Sequence, residues 1–234
     1  MKSLDLWSYE IRRAGPATLL APPALVLLIA ALAAFGTRLG SREGNTAWFL
    51  LGALETGIPL VAGIAAASLI GRDRSVELLL TLPGGYRPTL LRRLVVTVGW
   101  AALCALAASV LLVATGWWEL IPGAPGGLTG QLTWLSPLLW LSALGLLAAV
   151  TLRSTAAATS VVASVWVFEQ MFSGVLREST VPRLLYLFPT TRWGSAAEWL
   201  PNRLTLLSTA LLLVAAAWPL LGNAERTLTG GETE

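Results

Sequence analysis

The chain has 234 residues, 55% of them hydrophobic and only 12% charged, with a formal net charge of +3 and a mean hydropathy of +0.70. Soluble domains carry about 25% charged residues, so the polar surface here is too small to cover a water-soluble globule, and the chain reads as an all-α integral membrane protein. It has no His, one Cys (Cys104) and one Lys (Lys2), which excludes an internal disulfide, a Cys/His zinc site, a Cys–His nucleophile and a glycine-rich phosphate loop with its lysine.

Residues 3–14, SLDLWSYEIRRA, are not a span. Leu4, Trp7 and Ile11 recur at helical spacing, with Asp5, Glu10, Arg12 and Arg13 elsewhere on the wheel. This predicts an amphipathic helix in the membrane interface, its Trp at headgroup depth and its arginines near anionic lipid. The alternative is a frayed polar terminus. Arg12 and Arg13, the apolar run after them and Ala31-Leu32-Ala33 also resemble a signal peptide, but the run is long and more spans follow, so it is read as a retained first span.

A span needs about 20 apolar residues. Six stretches qualify, at about 17–36, 47–70, 94–116, 132–152, 155–174 and 204–222. Pro16, Pro22 and Pro23 predict a kinked or late-starting first helix. Trp117 and Trp118 open a Gly/Pro-rich loop and are read as interfacial anchors. Arg153 and Ser154 are the whole connection between spans four and five, which makes those helices neighbours. Ala101, Ala105 and Ser109, and likewise Ser160 and Ser164, form small-residue faces suited to close helix packing. The 175–203 segment has helical fragments, three prolines and mixed charge, and reads as an ordered re-entrant or surface hairpin.

Basic residues favour the cytoplasmic side. With the N-terminus inside, the inner segments hold Lys2, Arg12, Arg13, Arg72, Arg74, Arg87, Arg92, Arg93, Arg153 and Arg226, and the outer ones Arg38, Arg42, Arg177, Arg183, Arg192 and Arg203. That bias predicts a multi-pass protein of the cell membrane with both termini inside.

The longest inner connection, GRDRSVELLLTLPGGYRPTLLRR at 71–93, is too long for a plain link between antiparallel helices. Over 73–82, Val76, Leu79 and Leu80 form one face, and Asp73, Glu77 and Thr81 another, with Arg72 and Arg74 beside them. Acidic residues in the first turns suit the helix dipole, and Pro83-Gly84-Gly85 ends the helix. Pro88 then suits the first turn of the next helix.

This Arg-Asp-Arg cluster, the Glu77-Leu78-Leu79-Leu80-Thr81-Leu82-Pro83 run and the basic start of span three resemble the membrane subunits of ABC-2-type exporters. The six spans, the amphipathic N-terminal helix and the structured segment before the last span are similar to that family too. The spacer before Glu77 is shorter here, compressed to Arg74-Ser75-Val76. The resemblance implies a dimer of two identical or related permease chains, each docked on a separate ATPase subunit that binds ATP and Mg. Residues 73–82 would be the coupling helix, carried by Arg72, Asp73, Arg74, Glu77, Leu79, Leu80 and Pro83. The interface helix would touch the ATPase as well. Membrane lipid is the other expected partner, and nucleic acid is not. The chain would have no cofactor of its own.

Glu55 and Glu169 fall inside spans two and five, about 12 Å and 8 Å below the outer ends at about 1.5 Å per residue. A charge in the bilayer costs at least ~2.5–3.5 kcal/mol and calls for a cavity or a partner. In the resembled family, spans two and five line the export path, so both residues are candidates for that path. The structural alternative is a bond to a neighbouring helix or an ion pair with an outer arginine. The expected activity is outward transport of an amphiphilic small molecule, peptide or lipid. Three other readings stand beside it: a haem or cofactor exporter, a non-transporting scaffold, and a membrane enzyme, the last short of catalytic groups.

Overall fold

The computed structural model describes residues 10, 11, 14–70, 86–121, 125, 126, 128–193 and 198–221. Every element among them is helical. Leu4, Trp7, Arg12 and Arg13 of the predicted interface helix, and the whole 73–82 coupling helix with Arg72, Asp73, Arg74, Glu77, Leu79, Leu80 and Pro83, lie outside the described residues. Of the interface helix, Glu10 is buried and Ile11 exposed.

Five helices are long and apolar enough to cross a bilayer. They are α1 (Pro16–Arg38), α2 (Glu43–Ala67), α3 (Tyr86–Ala114), α4 (Leu132–Leu152, entered through a 3-10 turn at Thr129–Gln131) and, last in the chain, Trp199–Leu220. The fifth predicted span is α5 (Thr155–Met171), 17 residues long. At about 1.5 Å per residue it covers roughly 26 Å, short of a ~30 Å hydrocarbon core. It stops at Phe172, whose backbone (φ −102°, ψ 21°) leaves the helical well. Three short helices follow, α6 (Ser173–Glu178), α7 (Thr180–Leu185) and α8 (Pro189–Trp193), and Trp199–Leu220 is therefore α9.

α1 does not start late: it begins at Pro16, whose missing N–H is no loss in the first turn, and runs through Pro22 and Pro23. Trp118, read as an interfacial anchor, is buried in the protein, its indole donating to the Pro125 carbonyl at 3.2 Å. The Arg153–Ser154 turn forms as read. Arg153 takes the left-handed conformation (φ 58°) that stops α4, and the Ser154 hydroxyl caps α5 by accepting the Ala157 N–H at 3.3 Å.

The core centres on α4, which packs against α2, α3, α5 and α9. Small residues allow the tightest crossing, between α2 and α4. A Cβ on Gly145 would come within 2.4 Å of the Gly63 carbonyl oxygen and 3.1 Å of the Ala67 nitrogen. Ala62, Ala66, Ala67, Ala148 and Ala149 are buried around that point. Such close approach is how helices associate where lipid tails are as apolar as their side chains. Ala101, Ala105 and Ser109 of α3 are buried as their spacing suggested, and Ser109 donates to Gln131 at 2.7 Å. Ser160 and Ser164 are exposed instead, because α5 turns Ala158 and Val162 inward.

At the other end of the bundle, Arg93 of α3 makes a largely buried ion pair with Glu10 (Nε to Oε2, 2.9 Å). This ties the N-terminal segment to the foot of α3.

Candidate functional site

The site is built around backbone rather than around a pocket. Between α7 and α8, Tyr186, Leu187 and Phe188 are non-helical and have no solvent exposure at all. Backbone N–H and C=O groups taken out of water must find partners, and irregular backbone is tolerated at membrane depth only where protein supplies them. Here charged and amide side chains from three helices do so.

From α2, Glu55 accepts the Thr190 N–H through Oε1 at 3.1 Å and the Thr191 N–H through Oε2 at 2.7 Å. From α5, Glu169 accepts the Leu187 N–H at 3.0 Å. From α9, Arg203 donates to the Leu187 carbonyl at 2.9 Å, and Asn202 donates to the carbonyls of Arg183, Leu184 and Tyr186 at 3.0, 3.0 and 2.8 Å. The acidic residues hold amide hydrogens and the basic and amide residues hold carbonyls, so the segment is gripped on both polarities.

Arg203 also forms an ion pair with Glu55, and both side chains have no solvent exposure. Its guanidinium donates to the Thr190 hydroxyl at 2.8 Å and lies 5.5 Å from the Trp199 ring centre. The Trp199 indole donates to the same hydroxyl at 2.9 Å. Two buried charges therefore have each other and several hydrogen bonds, which is the condition under which a buried pair is tolerated.

Local sequence explains the placement. Pro59 has no N–H to donate back to the preceding turn, and just before it α2 widens into a π turn, Ala53–Gly57, which carries Glu55. The neighbouring Thr56 carbonyl accepts the Trp166 indole of α5 at 3.0 Å. Trp166 meets Phe188 edge-on, with ring centres 6.4 Å apart, and Phe188 meets Tyr186 the same way at 6.1 Å.

Depth changes with the true helix ends. α2 starts at Glu43, so Glu55 is about 18 Å along it and near its middle. Arg203 is only about 6 Å into α9. The two side chains meet, so Glu55 near the middle of α2 is paired with a residue in the second turn of α9. Segments α6 to α8 occupy the space above its start.

The structure thus brings Glu55 and Glu169 onto one segment, Glu55 fully buried and Glu169 half-buried. Glu55 makes an ion pair with Arg203, one of the arginines that the sequence reading assigns to the outer segments. Thr190, Trp199, Asn202 and Arg203 belong to the site and were not singled out in the sequence. A signal existed for Arg203. It follows Pro201 and precedes an apolar run with no further charge before Glu225, so it belongs to the last helix rather than to the loop before it. No protein-family model, curated protein or solved structure matches this chain.

Proposed function

We propose that the chain is the membrane-spanning permease subunit of an ATP-driven exporter of the ABC-2 type. It works with a separate ATPase subunit and a second permease chain, and moves an amphiphilic small molecule, peptide or lipid outward. α5 with its continuation serves as the sixth membrane element, and both termini are inside.

One observation carries this reading beyond the sequence motif: the buried Glu10–Arg93 pair. An exporter of this kind must pass movement of the ATPase into its spans through residues 73–82 and the N-terminal helix. A buried ion pair fixes the N-terminal segment to α3 at Arg93, the last residue of the 71–93 connection, so force applied to either reaches the same helix. A lipid-anchored tail with no mechanical task needs no such tie. On this reading Glu55 and Glu169 are architecture, holding the 186–191 segment, rather than groups that meet cargo.

The reading is tested by isolating the chain with its native partners in mild detergent and assaying ATP hydrolysis. An ATPase chain is expected to co-purify, and Arg74→Ala with Glu77→Ala is expected to weaken its retention or its coupling to transport. Recovery of the chain alone, or with partners that do not hydrolyse ATP, would sink the proposal.

A further inference from the structure

Between α1, α2 and α3 lies a cleft of about 250 Å³, lined by Val26, Ala30 and Ala34 of α1, Leu50 and Leu54 of α2, and Leu111 of α3, among others. Its wall is almost wholly apolar. The one hydroxyl, Thr115 at its end, already donates to the Leu111 and Leu112 carbonyls at 2.9 and 3.2 Å. Water needs two or more polar partners to stay in such a space, and apolar cavities of this kind stay dry and take apolar ligands instead.

The shape comes from how α1 is held. The Trp100 indole donates to the Leu19 carbonyl at 2.8 Å, and Leu25 packs within 3.0 Å of where a Cβ on Gly57 would lie. From Val26 to Ala34 α1 lines the cleft with Val26, Ile29, Ala30 and Ala34, while Ala33 stays buried against the bundle. That stretch is about 12 Å long at about 1.5 Å per residue, close to the ~15 Å hydrocarbon depth of one leaflet. Trp117 lies at the end of the cleft that meets the 39–42 turn and the α3 terminus, the level at which an amphiphile's headgroup rests. The volume falls below the ~300–1,000 Å³ of sites for drug-sized ligands and suits one narrow chain.

We infer that this cleft binds one alkyl chain of a single-chain amphiphile, admitted sideways from the bilayer between α1 and α3. The cleft and its occupant stand on geometry alone. Only the assignment of that occupant as cargo rests on the exporter reading. Ala53 and Leu54 of the lining share the π turn with Glu55, so a chain seated there touches the turn that carries the buried ion pair.

The test is photolabelling of the full chain, purified in lipid nanodiscs, with palmitic acid carrying a mid-chain diazirine. Labels are expected on peptides 26–34, 50–54 and 108–117. Ala30→Phe and Ala34→Phe, which fill the cleft from exposed positions on α1, are expected to lose those labels. Leu28→Phe on the lipid-facing side of the same helix is expected to keep them. Labels spread over outward residues such as Leu103 and Leu211, with no loss in either filling variant, would mean ordinary annular lipid and would overturn the site. The outcome is independent of the ATPase assay. Labelled cleft without a co-purifying ATPase keeps the site and removes the exporter reading, and the reverse removes only the site.

Discussion

Glu55→Ala is expected to destabilise the protein by about 3–5 kcal/mol, the cost of stranding one partner of a buried ion pair. In detergent that corresponds to a fall in unfolding temperature of roughly 10 °C for a chain of this size. Three groups lose their partner at once: the Arg203 guanidinium and the N–H groups of Thr190 and Thr191. Arg203 would keep the Leu187 carbonyl, the Thr190 hydroxyl and the Trp199 ring, but no counter-charge. Arginine cannot shed its proton in compensation. Arg203→Met is expected to cost less, because Glu55 then still accepts two backbone N–H groups. The double variant is expected to be more stable than the sum of the two losses predicts, since residues in one network do not add. Thermal unfolding of the four proteins side by side measures this. Equal losses that add would mean that the pair is not coupled.

Gly145→Leu is expected to be the most damaging change outside that network. The crossing of α2 and α4 leaves no room for a side chain, since even a Cβ would approach the Gly63 carbonyl oxygen to 2.4 Å. The contact is with backbone, which cannot rotate away as a side chain would. The helices must separate, and the buried alanines around the crossing lose contact with them. Overpacking costs about 1–3 kcal/mol in soluble cores, and a backbone clash at the central crossing is expected at the upper end. Gly99→Leu provides the contrast. A Cβ there meets nothing within 4 Å and leucine is the better helix former, so its unfolding temperature is expected not to fall below the parent value. Similar losses for both glycines would show that the crossing is not as close as described.

The membrane character, the helical class and the short α4–α5 turn were legible in the sequence because each rests on a local pattern: apolar run length, or a two-residue break before a cap. The α3 face at Ala101, Ala105 and Ser109 was legible for the same reason. The Ser160/Ser164 face was not, because four-residue spacing says which residues share a face and not which way it turns. The candidate site was half legible. Glu55 and Glu169 stood out as charges among apolar residues, and an arginine partner was one of the open readings. Which arginine could not be read, because only tertiary packing brings Arg203, in the second turn of α9, to Glu55 near the middle of α2. Nor could the purpose of the charges be read. It lies in the backbone groups of residues 186–191 that side chains from other helices hold, and nothing in the local sequence announces that residues 186–190 are buried.

Charged side chains from α2, α5 and α9 hold an irregular buried segment by its backbone. Amide hydrogen exchange of residues 187, 190 and 191 tests it most directly, since exchange reports the free energy of local opening. The account predicts protection comparable with that of α4 in the parent protein, with faster exchange at Thr190 and Thr191 in Glu55→Ala. Rapid exchange of these amides in the parent protein, at the rate of a frayed loop, would contradict it.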